Sequence, residues 1–415
     1  MKKDLEDHHF ETHLDWVRGL HKTLNATDDT DDHPIDVTHS FNGGDYGFRG
    51  YAGAFSPRHI ELISDHNHVH FVERDFFIKD PKQYVPSNFP RPQTHMFLSS
   101  QDASTKTQRY APWNLHAISH RKPVANRFMS CLWHYSYDAK AGEGTFAYVI
   151  DTGVRASHRD FEGRAYYGCQ IRRVENACYC ERGDHDDNNG HGTHVAGIIA
   201  SKTYGVAKKA SIISVKVFNE NGRTYKSDSI QAFHWAVTDI LQKGRATRAV
   251  INISSGGRRS EAQNMAIDRA FEESGIITVT SSGNDGKPAH EQSPASSSQA
   301  ITVGSVSKDW SFLSSSNYGP DVNILAPGEW IISLSNTSDG AFKTLSGTSS
   351  SAPHVAGLIL LSMSAYGISG SVAKQHLLET ATRGKIRGDL RGSPNLLANN
   401  NNKKQSDSTA HSACD

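Results

Sequence analysis

The sequence predicts an α/β fold with a central parallel sheet covered by helices on both faces, preceded by a small α+β unit. Three observations point there. Short runs rich in Val, Ile and Phe recur from about residue 140 onward, at 146–150, 212–218, 249–253, 276–280, 300–303 and 322–325. Continuous apolar runs of strand length belong to sheets buried on both sides. Amphipathic stretches lie between them: Ile230, Phe233, Val237, Ile240 and Leu241 repeat at helical spacing and stop at Gly244, and a second stretch over 260–273 stops at Gly275. Glycine readily takes the left-handed turn that ends a helix. The chain before about residue 80 has another character, with a helix-like stretch at 13–24, an acidic loop at 28–32, a strand-like stretch at 47–55, a helix at 57–64 and a second strand at 69–73.

At 415 residues the chain holds one large domain and one small one. Lys plus Arg and Asp plus Glu each total 44, so the formal net charge is zero. No basic stripe points to nucleic acid, no charge block points to a membrane surface, and the apolar runs are too short to span a bilayer. A monomer is expected. Residues 81–102 form a linker and activation region that runs into the polar stretch 99–106, the main domain runs over 103–400, and the chain from the Asn399–Asn402 run through the low-complexity tail 401–415 is expected to lack fixed structure. The cysteines are Cys131, Cys169, Cys178, Cys180 and Cys414. Cys178 and Cys180 stand too close for a zinc ribbon, so one or two disulfides formed in an oxidising compartment fit better, without assigned partners. The N-terminus lacks an apolar signal segment.

Four residues carry candidate chemistry. Ser349, in Gly347-Thr348-Ser349-Ser350-Ser351-Ala352-Pro353, stands at the mouth of an apolar helix, where free N–H groups and the dipole favour developing negative charge. Asp151 ends the strand 146–150 and is followed by Thr152-Gly153. At such a position an aspartate is a turn former or a buried carboxylate that accepts an imidazole N–H. His191 lies between Gly190 and Gly192 and opens an apolar helix that also carries His194. Zinc proteases need two histidines four apart with a glutamate between them, and the 184–190 run fails the calcium-loop template because Asn189 takes the glycine position; a general base is the better reading and no metal is assigned. Asn284 follows the strand 276–280 and is a turn residue or an amide donor to an oxyanion.

Asp, His and Ser occur in the chain order of subtilisin, which differs from that of chymotrypsin and the α/β-hydrolases. The blocks Val149-Ile150-Asp151-Thr152-Gly153, Gly190-His191-Gly192-Thr193-His194-Val195-Ala196-Gly197 and Gly347-Thr348-Ser349 with Ala352-Pro353-His354-Val355-Ala356-Gly357 resemble those of subtilisin-like serine proteases. Within that family, Ala156-Ser157-His158 with Asp160-Phe161-Glu162-Gly163-Arg164-Ala165, and Tyr204-Gly205-Val206-Ala207-Lys208-Lys209, are similar to the proteinase K subfamily. The N-terminal unit, residues 1–80, resembles the family's inhibitor-type prodomain through His13-Leu14-Asp15-Trp16-Val17, the segment 48–56 and Val72-Glu73-Arg74-Asp75.

The resemblance implies a three-layer subtilisin-like fold and a secreted, self-cleaving endopeptidase. Ser349 would be the nucleophile, His191 the base, Asp151 its orienting acid and Asn284 an oxyanion donor. Ser254, Ser255 and Gly256 match the segment that pairs with substrate backbone; with Ser282 and Gly283 they bring no acidic residue, which implies broad cleavage after apolar or aromatic residues rather than dibasic processing. Partners are protein or peptide substrates and the chain's own prodomain. The rival reading is a catalytically inactive relative that binds peptides; a triad complete in residue type argues against it. Missing upstream residues, a strand and a signal peptide, are implied by how the prodomain opens, and the Asn25-Ala26-Thr27 and Asn336-Thr337-Ser338 sequons fit secretion. No cofactor is required. A structural calcium site is a candidate, but Ser307 stands where proteinase K relatives offer an aspartate. Ser350 replaces the family's usual methionine, removing an oxidisable thioether beside the nucleophile, and residues 119–135 and 166–188 look inserted. His66, His68 and His70 form a cluster that would charge near pH 6.

Overall fold

The computed structural model describes residues 1–2, 5–24, 36–79, 98–102, 104–123, 133–174, 177–183, 185–403 and 405. The N-terminal unit contains α1 (Asp7–Leu24), β1 (Asp36–Gly43), β2 (Phe48–Ala54), α2 (Pro57–Asp65) and β3 (Phe77–Lys79). A three-stranded antiparallel sheet of β4 (Leu98–Asp102), β5 (Thr105–Arg109) and β6 (His134–Asp138) follows, with α3 (Trp113–Ala117) between its last two strands. The polar stretch expected as linker therefore ends in a hairpin: Ser99 pairs with Thr107 and Asp102 with Thr105.

The main sheet is built from β7 (Phe146–Asp151), β8 (Ala165–Val174), β9 (Ala177–Glu181), β10 (Ser211–Lys216), β12 (Ala249–Ile253), β14 (Ile277–Ser281), β16 (Ile301–Val306), β17 (Ile324–Pro327), β20 (Thr382–Arg383) and β21 (Leu396–Leu397). Its order is β20-β21-β17-β16-β14-β12-β7-β10-β8-β9. All neighbours are parallel except the edge pairs β20/β21 and β8/β9. Five further short strands of this domain stand outside it: β11 (Arg223–Tyr225), β13 (Gly257–Arg258) with β15 (Gln292–Ser293), and the hairpin β18 (Ile331–Leu334)/β19 (Phe342–Leu345). Each of the six expected strands is present, the last displaced to Ile324–Pro327.

Strand side chains alternate between faces, and that alternation sets the layers. Ala147 and Val149 of β7 join one core with α4 (His191–Ala200) and α7 (Thr348–Tyr366). Tyr148 and Ile150 join the other with α5 (Lys226–Gln242) and α6 (Glu261–Ser274). The helix α8 (Gly370–Thr380) packs beside α7. Phe41, Tyr46 and Phe48 of the N-terminal unit extend the second core, so its hairpin lies over α5 and α6. Among the described residues no single helix is long and apolar enough to cross a membrane.

Two expectations fail locally. Residues 69–73 are not a strand; the partner of β2 is β1, paired from Asp36↔Ala54 to Gly43↔Phe48. That strand hid in the sequence because one of its inward positions is His39, made tolerable by a 2.9 Å bond to Asp228 of α5. Asn399, Asn400 and Asn402, expected to open a structureless tail, instead dock: Asn399 Nδ2 donates to the His120 carbonyl, Asn400 Nδ2 to Ser136 and Asn402 Nδ2 to Ser119. Most of the 166–188 insertion is the edge hairpin β8/β9, closed by the Cys169–Cys180 disulfide. Cys178 is a free thiol, while Cys131, Cys414 and the Asn25 sequon lie outside the described residues.

Candidate active site

Asp151 is the last residue of β7, at the carboxyl end of a central strand, and its side chain is buried. Its Oδ1 accepts the Thr152 backbone N–H at 2.7 Å and His191 Nδ1 at 2.8 Å. A carboxylate only accepts, so Nδ1 carries the imidazole proton and Nε2 is the basic end.

His191 is the first residue of α4, and its neighbours are glycines for steric reasons. Gly190 has φ +99°, and a Cβ on Gly192 would fall 2.1 Å from the Gly153 carbonyl oxygen and 3.1 Å from Asp151 Cβ. The turn leading into α4 is organised by Asp187, a residue that sequence reasoning passed over. Its Oδ1 accepts from Thr152 Oγ1 (2.8 Å), Asn189 N (3.0 Å) and Gly190 N (2.7 Å); its Oδ2 accepts from Thr193 N (2.9 Å) and Thr193 Oγ1 (2.6 Å). Thr152 Oγ1 in turn accepts Gly192 N at 2.9 Å. One carboxylate thus ties the end of β7 to the start of α4. The signal was available in the Asp-x-Asn-Gly turn chemistry before His191. His194 takes no part: its Nε2 meets the Ile331 carbonyl at 3.0 Å, and burial drives its pKa well down.

Ser349 is the second residue of α7, buried at the helix mouth. Gly347, with φ +142°, lets Asn284 approach so closely that a Cβ there would sit 2.9 Å from Asn284 Nδ2. Asn284 Oδ1 accepts Thr348 N at 2.8 Å and Thr348 Oγ1 at 2.9 Å. A backbone N–H only donates, so the amide oxygen faces Thr348 and the nitrogen is left as the donor end. Pro353 lacks the N–H that would bond the Ser349 carbonyl. Further along α7, His354 Nδ1 donates to the Ser350 carbonyl at 2.8 Å and Nε2 faces Asn114 Nδ2 at 2.7 Å; burial pushes His354 down to about 4.

Ser254, Ser255 and Gly256 leave the carboxyl end of β12 and run into β13, and Gly283 follows β14. At Gly283, with φ +107°, a Cβ would fall 2.3 Å from Asn317 Nδ2 and 2.4 Å from Gln292 Oε1. β3 of the N-terminal unit pairs antiparallel with β11, Arg223↔Lys79 to Tyr225↔Phe77, and its Ile78 lies against Gly257 of β13. Two acidic residues before β3 hold this arrangement. Glu73 accepts from Ser260 Oγ (2.5 Å) and Glu261 N (2.9 Å) at the N-terminus of α6, and Asp75 from Ser227 Oγ (2.6 Å) and Ser227 N (3.1 Å) at that of α5. Carboxylates are favoured there by free N–H groups and the helix dipole. At the same interface, burial opposes the Asp228 charge, but bonds from His39 and Arg173 outweigh it and hold the carboxyl below its usual range.

Two other residues singled out in the sequence have defined partners. The Ser307 hydroxyl donates to Asp309 Oδ1. Asn336 Nδ2, the atom a glycan would take, donates to the Asp187 carbonyl at 2.8 Å, beneath the turn that presents His191.

Comparison with known proteins places matches on both parts of the chain. The family model described as "Subtilase family" matches residues 142–409, and that described as "Peptidase inhibitor I9" matches residues 1–79. Alkaline protease 1 of Aspergillus clavatus is 40% identical over 403 residues, covering 96% of this chain and 89% of its own. Subtilisin-like protease 2 of Trichophyton equinum is 41% identical over 360 residues, 85% of this chain and 81% of its own. The crystal structure of a cold adapted subtilisin-like serine proteinase superimposes with a TM-score of 0.62 at 34% identity, covering 70% of this chain and 98% of that one.

Proposed function

The chain belongs to the subtilase family and is a serine endopeptidase, and on that premise we propose that Ser349, His191, Asp151 and Asn284 do its chemistry. The observation that carries the reading is the buried 2.8 Å contact between Asp151 Oδ1 and His191 Nδ1, with Ser349 on the helix packed against α4. Ser349 Oγ attacks the scissile carbonyl while His191 Nε2 takes its proton, later delivering it to the leaving amine. Asp151 holds the ring tautomer and stabilises the imidazolium. Asn284 Nδ2 and the Ser349 N–H receive the oxyanion. Losing such an amide donor costs roughly 3–4 kcal/mol, a figure measured in subtilisin of this same family rather than obtained from this geometry.

The N-terminal unit is an intramolecular inhibitor. In our reading β3 enters between β11 and β13 as a substrate strand would, and substrate backbone is taken by Ser254, Ser255 and Gly256 through added-strand pairing. The uncharged surroundings of Gly283 suit apolar or aromatic side chains at the residue before the cut. The Cys169–Cys180 disulfide supports an extracellular site of action.

Intact mass of the full chain beside its Ser349→Ala form tests the reading. Cleavage of the parent between about residues 95 and 110, with the variant uncut, is expected. Both chains folded and uncut would leave a peptide-binding relative in place of an enzyme.

A further inference from the structure

Outside the catalytic centre, the N-terminal unit gathers imidazoles in one place. His13 projects from α1, and His66 and His68 from the segment that follows α2; their ligand atoms all lie within 4.8 Å of one another. The rings meet edge to face, His13 and His66 with centroids 4.5 Å apart at 70°, and His66 and His68 4.8 Å apart at 68°. His13 is 2% exposed, and its Nδ1 and that of His68 are both buried without a hydrogen-bond partner. Two such nitrogens in one pocket are costly unless they serve a ligand.

We propose that His13, His66 and His68 form a binding site for a divalent transition-metal ion, Zn²⁺ foremost, on the inhibitory N-terminal unit. All-imidazole sets suit zinc, and tetrahedral Zn–N bonds of about 2.0–2.1 Å put ligand nitrogens roughly 3.3 Å apart. Rotation about the loosely restrained terminal torsion of histidine closes the remaining gap. The outer partners favour ligation. Tyr51 Oη lies 3.1 Å from His13 Nε2 and can accept a hydrogen bond from its N–H, leaving Nδ1 as the lone-pair nitrogen of that ring. His66 Nδ1 accepts the His68 backbone N–H at 3.1 Å, which marks it as the lone-pair end of that ring; this contact is the one the ion replaces. A fourth position falls to solvent or to His9, one turn before His13, whose ring lies 5.7 Å from that of His68.

The ion would join α1 to the chain that runs on from His68 to Glu73 and Asp75, the residues seated on α6 and α5. Metal binding thereby stabilises the folded N-terminal unit that presents Glu73 and Asp75.

The experiment uses the uncleaved full chain as its Ser349→Ala form, titrated with Zn²⁺ by calorimetry and with Co²⁺ by visible absorption. One strongly bound ion, with tetrahedral cobalt bands, is expected. His66→Ala and His68→Ala, both on a partly exposed segment, weaken it by roughly 100-fold or more, since even outer partners of ligating histidines change affinity 10–100-fold. A second histidine group, His116, His120 and His134, lies on the other domain. Binding unchanged in His66→Ala and His68→Ala but lost in His120→Ala would overturn the proposal, as would no ion retained by the parent chain. Failure of Ser349→Ala to block processing bears on the catalytic reading alone.

Discussion

Gly192 and Gly153 touch so closely that a single added Cβ on Gly192 would lie 2.1 Å from the Gly153 carbonyl oxygen. That contact presses the start of α4 onto the end of β7, which is what brings His191 Nδ1 to 2.8 Å from Asp151. Gly192→Ala must push the two elements apart. Because a displacement near 1 Å in such a site costs about 100-fold, self-cleavage should slow by about that factor or more. Quantifying precursor and product over time by mass spectrometry checks this.

Asp187 accepts from five donors and can lose none cheaply. In Asp187→Asn an amide NH₂ must face either the Thr193 donors or the Gly190 and Asn189 N–H groups. The expected destabilisation is about 2 kcal/mol, with kcat falling more than KM rises. Chemical denaturation in the Ser349→Ala background and steady-state kinetics in the active enzyme separate the two effects.

Glu73→Gln keeps the hydrogen-bonding shape at the α6 N-terminus and removes the charge. Inhibition after processing should weaken by about 1 kcal/mol, roughly 5-fold, and activity should emerge sooner. Following activity against time after processing gives the answer; an unchanged lag would show that the charge contributes nothing.

His234 of α5 is covered by the N-terminal unit, its Nδ1 2.9 Å from Tyr46 Oη and its ring near Phe41. Burial pushes it down to about 4 while the unit is docked. Undocked, the ring returns toward its ordinary value of about 6.5. A depressed histidine favours docking fully above about 6.5 and loses that contribution as pH falls from there toward 4. Release of activity should therefore be faster at pH 5 than at pH 7. His234→Gln should flatten that dependence; an equal slope in parent and variant would assign it to other groups.

The three-layer α/β class was legible because the central strands are rich in Val and Ile and buried at nearly every position, and the candidate catalytic residues because each sits in a glycine-marked block. Asp151, His191 and Ser349 occupy a strand end or helix start and Asn284 the loop after β14, as their local sequences implied. Other features depended on partners far away in the chain. β1 could not be read because His39 points inward toward Asp228, 189 residues later. The asparagines after 398 read as a loose tail because their acceptors are carbonyls near residues 119–136. Glu73 and Asp75 read only as part of the resemblance to an inhibitor-type prodomain, since the helix ends they occupy belong to another domain. Short-range periodicity and turn chemistry determined which elements form and which residues offer chemistry. Only tertiary packing decided which buried charge meets which donor, because a hydrogen bond across the fold depends on distance in space and leaves no period in the chain.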